Sequence, residues 1–375
     1  MSAAPSAPRP RALFVARTRY ALPLGESLAR KWDALAAQLD VRVLARGSGS
    51  GDGRFDLSLP RNGLACQLLL PRAVAGALRS FGPDVVLAQS PYEAAACLLA
   101  RRLTGTDVPI VTDIHGDWRT STRLYGSRLR RLATLPADLV SGIALRRVDG
   151  VRTLSPFTSE LVRSRGIEPL AEFPAFVDLS AFVERPPVPL PDRPRAAFVG
   201  VLEAYKGLPT LFAAWGIVRE RLPDARLALV GSGHATREVE HFVGRSGGSV
   251  TWVPRLENAA IPSFLDEATC LFLPSESEGL PRIVMESFCR GRPVVATRAG
   301  GVPDLVRDGE NGFVLERGDA PGLAAALVHV LGNADEARRL AAGAAASNGP
   351  WRASAEEFAA RTRALVDAVL VGREP

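Results

Sequence analysis

The sequence predicts an α/β fold made of two doubly wound, parallel-sheet domains. Three observations predict it. Short apolar runs alternate with amphipathic helical segments along the chain. The alternation breaks once, at residues 184–194, where five prolines crowd together, and it starts afresh afterwards. A length of 375 residues suits two domains of ordinary size.

The first half opens on a buried-strand pattern at 12–16 (ALFVA). Residues 26–39 have helical spacing, with Leu28, Trp32, Leu35 and Leu39 on one face. Strands are predicted at 41–44 and, after Gly82-Pro83-Asp84, at 85–87. A helix at 93–102 leads to a strand at 110–112, which ends at Asp113-Ile114-His115-Gly116. A helix at 137–147 and a strand at 150–154 follow. Ser155 then caps a helix through 162, with Pro156 in the first helical position. The second half repeats the scheme. Strands are predicted at 196–201, 225–230, 250–253, 270–273, 294–297 and 313–315. Helices are predicted at 208–221, 236–243, 260–267, 282–290, 320–331, 334–346 and 353–371. The domains so defined are a disordered tail at 1–10, a first domain at 11–183, a linker at 184–194 and a second domain at 195–352. The terminal helix, 353–375, is long enough to cross back to the first domain. In such sheets ligands sit beyond the carboxyl ends of the strands, so the expected site is a cleft between the domains.

Composition narrows the function. The chain is 47% hydrophobic and 23% charged, as a water-soluble domain is. No long uncharged apolar run suggests a membrane span, and residues 1–10 lack the apolar core of a secretory signal. Cys66, Cys97, Cys270 and Cys289 lie far apart, which argues against disulfides or a zinc site and fits a reducing cytoplasm. The expectation is therefore no metal and no cofactor. Net charge is +6, with 25 basic against 17 acidic side chains in residues 1–190 and 21 against 23 in residues 191–375. The basic half fits either an anionic partner or a plain arginine bias. Lys31 and Lys206 are the chain's two lysines, and a lysine kept among arginines suggests a need for a compact charge.

Residues 270–293 (CLFLPSESEGLPRIVMESFCRGRP) carry the chemistry. A strand ends at Leu273, a loop with Gly279 and Pro281 follows, and a helix starts near Arg282. Free N–H groups at that helix start suit a phosphate. Glu278 on the loop and Glu286 one turn into the helix suit ribose or sugar hydroxyls. Taken alone, the pair fits two solvated surface glutamates better, as most glutamates are. The next strand runs into Gly300-Gly301, a turn that lets a ligand approach the backbone closely. At 200–207 (GVLEAYKG) a loop delivers Lys206 just ahead of a helix, where it suits a diphosphate.

With these motifs the chain resembles the retaining, GT-B-fold glycosyltransferases of the glycosyl transferases group 1, family 4-like type. The matching features are Glu278 and Glu286 at Glu-x7-Glu spacing, the Gly200–Gly207 loop, and the run from Pro293 to Gly301. In the first half, residues 174–182 (PAFVDLSAF) and His115-Gly116 are similar to the family's segments. The resemblance is specific over 196–330 and weak before about 105. It implies that Glu286 binds the ribose, Glu278 contacts the donor sugar and steadies the transition state, Lys206 binds the diphosphate and His115 reaches the sugar. It implies a donor-site backbone around Gly200, Gly279, Leu280, Arg282, Ile283 and Gly301, with Arg255 and Leu256 nearby. Gly25 stands where the family's N-terminal glycine-rich loop meets the diphosphate. Two positions depart from the pattern. Val201 replaces the usual arginine, leaving Arg282 or Arg298 to substitute, and 21–25 (ALPLG) replaces a double glycine.

The implied partners are a UDP- or GDP-linked sugar and a sugar, lipid-linked or small-molecule acceptor, in polysaccharide, glycolipid or glycoconjugate synthesis. The implied chemistry is metal-independent front-face attack, with a donor phosphate oxygen taking the acceptor proton. The basic segment 119–131, interleaved with Trp118, Leu124, Tyr125 and Leu129, fits either a lip on an anionic membrane or a solvated loop. The lip would put the protein peripherally at the inner face of the plasma membrane. A non-catalytic nucleotide-sugar-binding protein is the main alternative, motivated by Val201. A GT-B epimerase or phosphorylase is a weaker one, and no nucleic-acid-binding module is present.

Overall fold

The computed structural model describes residues 8–60, 62–119 and 134–372. They pack as two compact units. The described residues up to Phe176, together with the stretch from Ala353, form the first, and Val177–Arg352 form the core of the second.

The first unit holds β1 (Arg11–Ala21), α1 (Glu26–Gln38), β2 (Asp40–Ser48), β3 (Phe55–Leu59), α2 (Gly63–Phe81), β4 (Val85–Ala88) and α3 (Pro91–Thr104). It continues with β5 (Ile110–Ile114), α4 (Thr134–Leu145), β6 (Gly150–Thr153), α5 (Pro156–Arg163) and β7 (Ala171–Glu172). Its strand order is β3-β2-β1-β4-β5-β6-β7, with parallel pairing throughout the described residues. β3, α2 and β7 are additions to the sequence reading. The second unit opens with α6 (Ser180–Val183), β8 (Arg195–Val199), α7 (Leu208–Arg221), β9 (Arg226–Val230), α8 (Thr236–Arg245) and β10 (Val250–Val253). After these come α9 (Ile261–Asp266), β11 (Cys270–Leu273), α10 (Arg282–Cys289), β12 (Val294–Thr297), α11 (Val302–Leu305), β13 (Gly312–Leu315), α12 (Ala320–Gly332) and α13 (Ala334–Ala346). Its order is β10-β9-β8-β11-β12-β13, again parallel. Both orders reverse direction beside the first strand of their sheet, the arrangement that opens a crevice at the carboxyl ends.

The last helix, α14 (Ala355–Val371), packs in the first unit, where Phe358, Leu365 and Val366 join Trp32 and Leu35 of α1 in one core. Its start is fixed by a capping box between Ser354 and Glu357. The packing boundary lies at Phe176/Val177, ahead of the expected 183/184. The proline-rich stretch belongs to the second unit, because Arg290 and Arg292, both buried, bind its carbonyls. No described helix is long and apolar enough to cross a membrane. The four cysteines are buried and free.

A charged cluster around buried Arg152 borders the first unit's core. Arg152 on β6 faces Asp113 on β5 across the sheet register, with Nε 3.4 Å from Oδ1. Lys31 on α1 lies 5.5 Å from the Phe358 ring, and Arg152 lies at the same distance from it. Burial would raise the Asp113 carboxyl, but Arg152, His115 and Lys31 together hold it below its ordinary value. Burial, and then the Arg152 charge, push Lys31 down to about 8. The folded value is thus below the unfolded one near 10.5. Between these two pH values the unfolded chain binds a proton that the folded chain has released, so stability gains from Lys31 as pH rises through the window. Denaturant unfolding of wild type and Lys31→Met from pH 7 to 10.5 checks this. The difference between them should change with pH, and parallel curves would sink the assignment.

Candidate functional site

In the second unit, the loops after β8, β9, β10 and β11 enclose a cavity of about 560 Å³. Gly200, Lys206, Arg255, Leu256, Glu278, Arg282, Ile283 and Glu286 of the expected donor site all line it. It straddles the β8/β11 switch point, as the strand order predicts. Gly279, Leu280 and Gly301, also expected at the site, are not among its lining residues; the Gly301 amide donates to the Gly279 carbonyl at 2.8 Å. Gly25 and His115 belong to the first unit. Gly25 is the N-cap residue of α1, and His115 follows β5, with Nε2 3.8 Å from Asp113 Oδ2.

Neither glutamate is a solvated surface charge. The Glu278 side chain is 9% exposed; its Oε1 accepts from Lys206 Nζ at 2.7 Å and from Ser275 Oγ at 2.6 Å. Lys206 is itself 8% exposed. The loop puts it there because Gly207 takes φ +66°, where a side chain's Cβ would fall 1.9 Å from the Pro274 carbonyl oxygen. Gly300 has the same function on the other side. At φ +55° its Cβ would fall 1.8 Å from the Glu278 carbonyl oxygen, so the double glycine presses directly against the loop that carries Glu278.

Glu286 is buried on α10 and paired with Arg282, one turn earlier. Burial pushes its carboxyl up, against the pull of Arg282. Arg282 is half exposed and lines the cavity, whereas Arg298 is paired with Glu316 at 2.9 Å and does not. Val201 lies on the wall, 49% exposed. Sequence reasoning missed Ser275, Tyr205 and Ser232. Ser232 carried a signal, since Gly231-Ser232-Gly233 ends a strand as the other site loops do. Ser275 carried none within PSESEG.

The expected basic lip lies, past Arg119, outside the described residues. Its first aromatic residue does not face outward. Trp118 is buried, its Nε1 donating to Ser141 Oγ at 3.0 Å, with Arg165 over its ring. Among the described residues no cluster of three or more potential metal ligands occurs.

Residues 193–333 match the family model described as glycosyl transferases group 1, and residues 18–174 match the glycosyl transferase 4-like domain. A lipopolysaccharide core biosynthesis glycosyltransferase, LpsE of Rhizobium meliloti, is 27% identical over 73% of this chain and 73% of its own. Sucrose-phosphate synthase from Thermosynechococcus elongatus superposes with a TM-score of 0.77 at 20% identity, over 97% of this chain and all (100%) of that one. Anabaena HepE, solved in complex with UDP and glucose, gives a TM-score of 0.69 at 18% identity, over 96% and 100%. The likeness shows that the fold is GT-B. The chain spans 38%, 25% and 41% of the lengths of three other curated relatives.

Proposed function

We propose that this chain, a GT-B glycosyltransferase by its fold and by the family matches of both domains, transfers a glycosyl group from a nucleoside diphosphate sugar to an acceptor hydroxyl, retaining configuration and needing no metal. The observation that carries the reading is the buried Lys206–Glu278 pair sharing one cavity with buried Glu286. An ammonium, a carboxylate facing a sugar and a carboxylate facing a ribose are what a donor of this class requires.

In the proposed reaction the bond from the anomeric carbon to the diphosphate oxygen breaks as the acceptor oxygen bonds to the same face of that carbon. The acceptor proton passes to the departing phosphate oxygen. Lys206 and the first N–H groups of α10 stabilise the charge that builds on the diphosphate. Glu278 steadies the positive charge on the sugar ring. Glu286 accepts hydrogen bonds from the ribose hydroxyls. The relative named for lipopolysaccharide core synthesis supports a place in glycoconjugate assembly. Val201 favours the second reading, a non-catalytic nucleotide-sugar binder.

Nucleotide release from a panel of UDP- and GDP-sugars separates the two. Turnover supports the transferase, and saturable binding without turnover supports the binder. Glu286→Ala should weaken nucleotide binding by about 10- to 100-fold, the worth of hydrogen bonds to a charged acceptor. The raised Glu286 carboxyl adds a pH signature. Ribose hydroxyls donate to the ionised form, so wild-type affinity should fall as pH drops, starting above the ordinary carboxylate range. Glu286→Gln should remove that fall. A wild-type affinity independent of pH there would count against Glu286 as the ribose acceptor.

A further inference from the structure

We propose that the groove between α7 and α8 is a second ligand site, one that takes a small amphipathic anion: an aromatic ring carrying a sulfate, phosphate or carboxylate. The groove measures about 790 Å³ and shares no lining residue with the donor cavity. That volume falls within the range of small-molecule sites.

Its floor is aromatic. Phe212 of α7 and Phe242 of α8 stack with ring centroids 4.2 Å apart and planes 26° apart. Trp215 is fully buried beside them, its Nε1 donating to Ser249 Oγ at 3.3 Å, so its ring is held in place. The Phe212–Phe242 pair, backed by the buried Trp215, offers an apolar surface to another ring.

Its rim is cationic. Arg219, Arg237 and Arg245 line the groove, against Glu238 as the one lining carboxylate. Residues 191–375 carry more acidic than basic side chains, so this excess is local. Several arginines of the same unit are ion-paired, among them Arg195 with Glu267, Arg290 with Asp266, Arg298 with Glu316 and Arg339 with Glu336. At the groove they are not. Among the described residues no ion pair or hydrogen bond engages Arg219 or Arg237, and Arg245 reaches only His241, at 3.5 Å. Unpaired guanidiniums above an apolar floor are complementary to a ligand with a ring at one end and oxyanion oxygens at the other. The site stands whether or not the proposed transfer reaction does.

The test is a fluorescence titration of the intact chain with anilinonaphthalene sulfonate, which combines an aromatic body with an anion. One saturable site per chain is expected, undiminished by excess UDP. Arg219→Ala with Arg237→Ala should weaken it by about tenfold or more, while lysine at both positions should keep most of the affinity. Phenyl phosphate should displace the probe at far lower concentration than inorganic phosphate or benzyl alcohol. Four results would overturn the proposal: no saturable binding, equal affinity in the double alanine variant, displacement by UDP, or displacement by inorganic phosphate as readily as by phenyl phosphate. Unchanged thermal unfolding of the variants confirms that they report on the groove.

Discussion

Replacing Lys206 with alanine is expected to lower kcat of the proposed transfer by about 10²- to 10³-fold, the usual loss when a preorganised charge facing the leaving group is removed. The ammonium is fixed before any ligand arrives, by Glu278 at 2.7 Å and by a stem that packs over Gly200. It sits in a cavity wall with 8% of its surface exposed, where its charge acts at low dielectric. The substitution also strands Glu278, leaving it the Ser275 hydroxyl as a donor at 2.6 Å. Breaking a buried ion pair costs about 3–5 kcal/mol, so Lys206→Ala should melt earlier as well as turn over slowly. Lys206→Arg separates the two effects. It keeps a cation for Glu278, but it replaces a compact ammonium with a wider planar guanidinium on a longer stem, which moves the charge off its point. It should regain stability and not turnover. Wild-type turnover in Lys206→Ala would remove this residue from the chemistry.

The second domain is legible in the sequence to the residue in places: β10, β11, β12, α7 and α13 begin and end where the pattern puts them. Buried parallel strands read as unbroken apolar runs, and glycines mark their carboxyl ends. The first domain reads less well. β3 is an edge strand with mostly half-buried residues, so it shows no clean run. α2 carries Pro71 inside it and leaves Leu68 and Leu69 exposed, which blurs its helical stripe. At the candidate site, residue types, spacing and the family resemblance single out Lys206, Glu278 and Glu286, and the fold brings all three to one cavity. Their burial was not readable, since it depends on loops from four different strands closing over them. Ser275 escaped notice for the same reason: only the folded loop selects it from the serines around it.

Arg290 and Arg292 show what a sequence conceals when a polar group acts through the backbone. They read as a helix end and a turn. Folded, they are the second unit's strap for the proline-rich stretch. Prolines have no N–H, and an extended proline segment leaves its carbonyls without a ladder partner. Arg290 donates to the carbonyls of Arg185 at 2.6 Å, Phe182 at 3.1 Å and Pro186 at 3.1 Å, and forks onto Asp266 at 2.8 and 2.7 Å. Arg292 serves Val188 at 3.0 Å and Pro189 at 3.2 Å. Arg290→Met should therefore destabilise the second unit by about 3–5 kcal/mol, because it leaves the Asp266 carboxylate and three carbonyls without this donor. For a unit of this size the melting temperature should drop by roughly 10 °C. Arg290→Lys should recover only a small part, since one ammonium cannot serve both a carboxylate and three carbonyls in fixed directions. Thermal unfolding followed by calorimetry decides it, and a methionine variant melting with the wild type would show that the strap carries no load. The effect should reach the donor cavity too. Arg290 directly follows α10, the helix that presents Arg282 and, one turn on, Glu286, so loosening its far end should raise KM for the donor more than it lowers kcat.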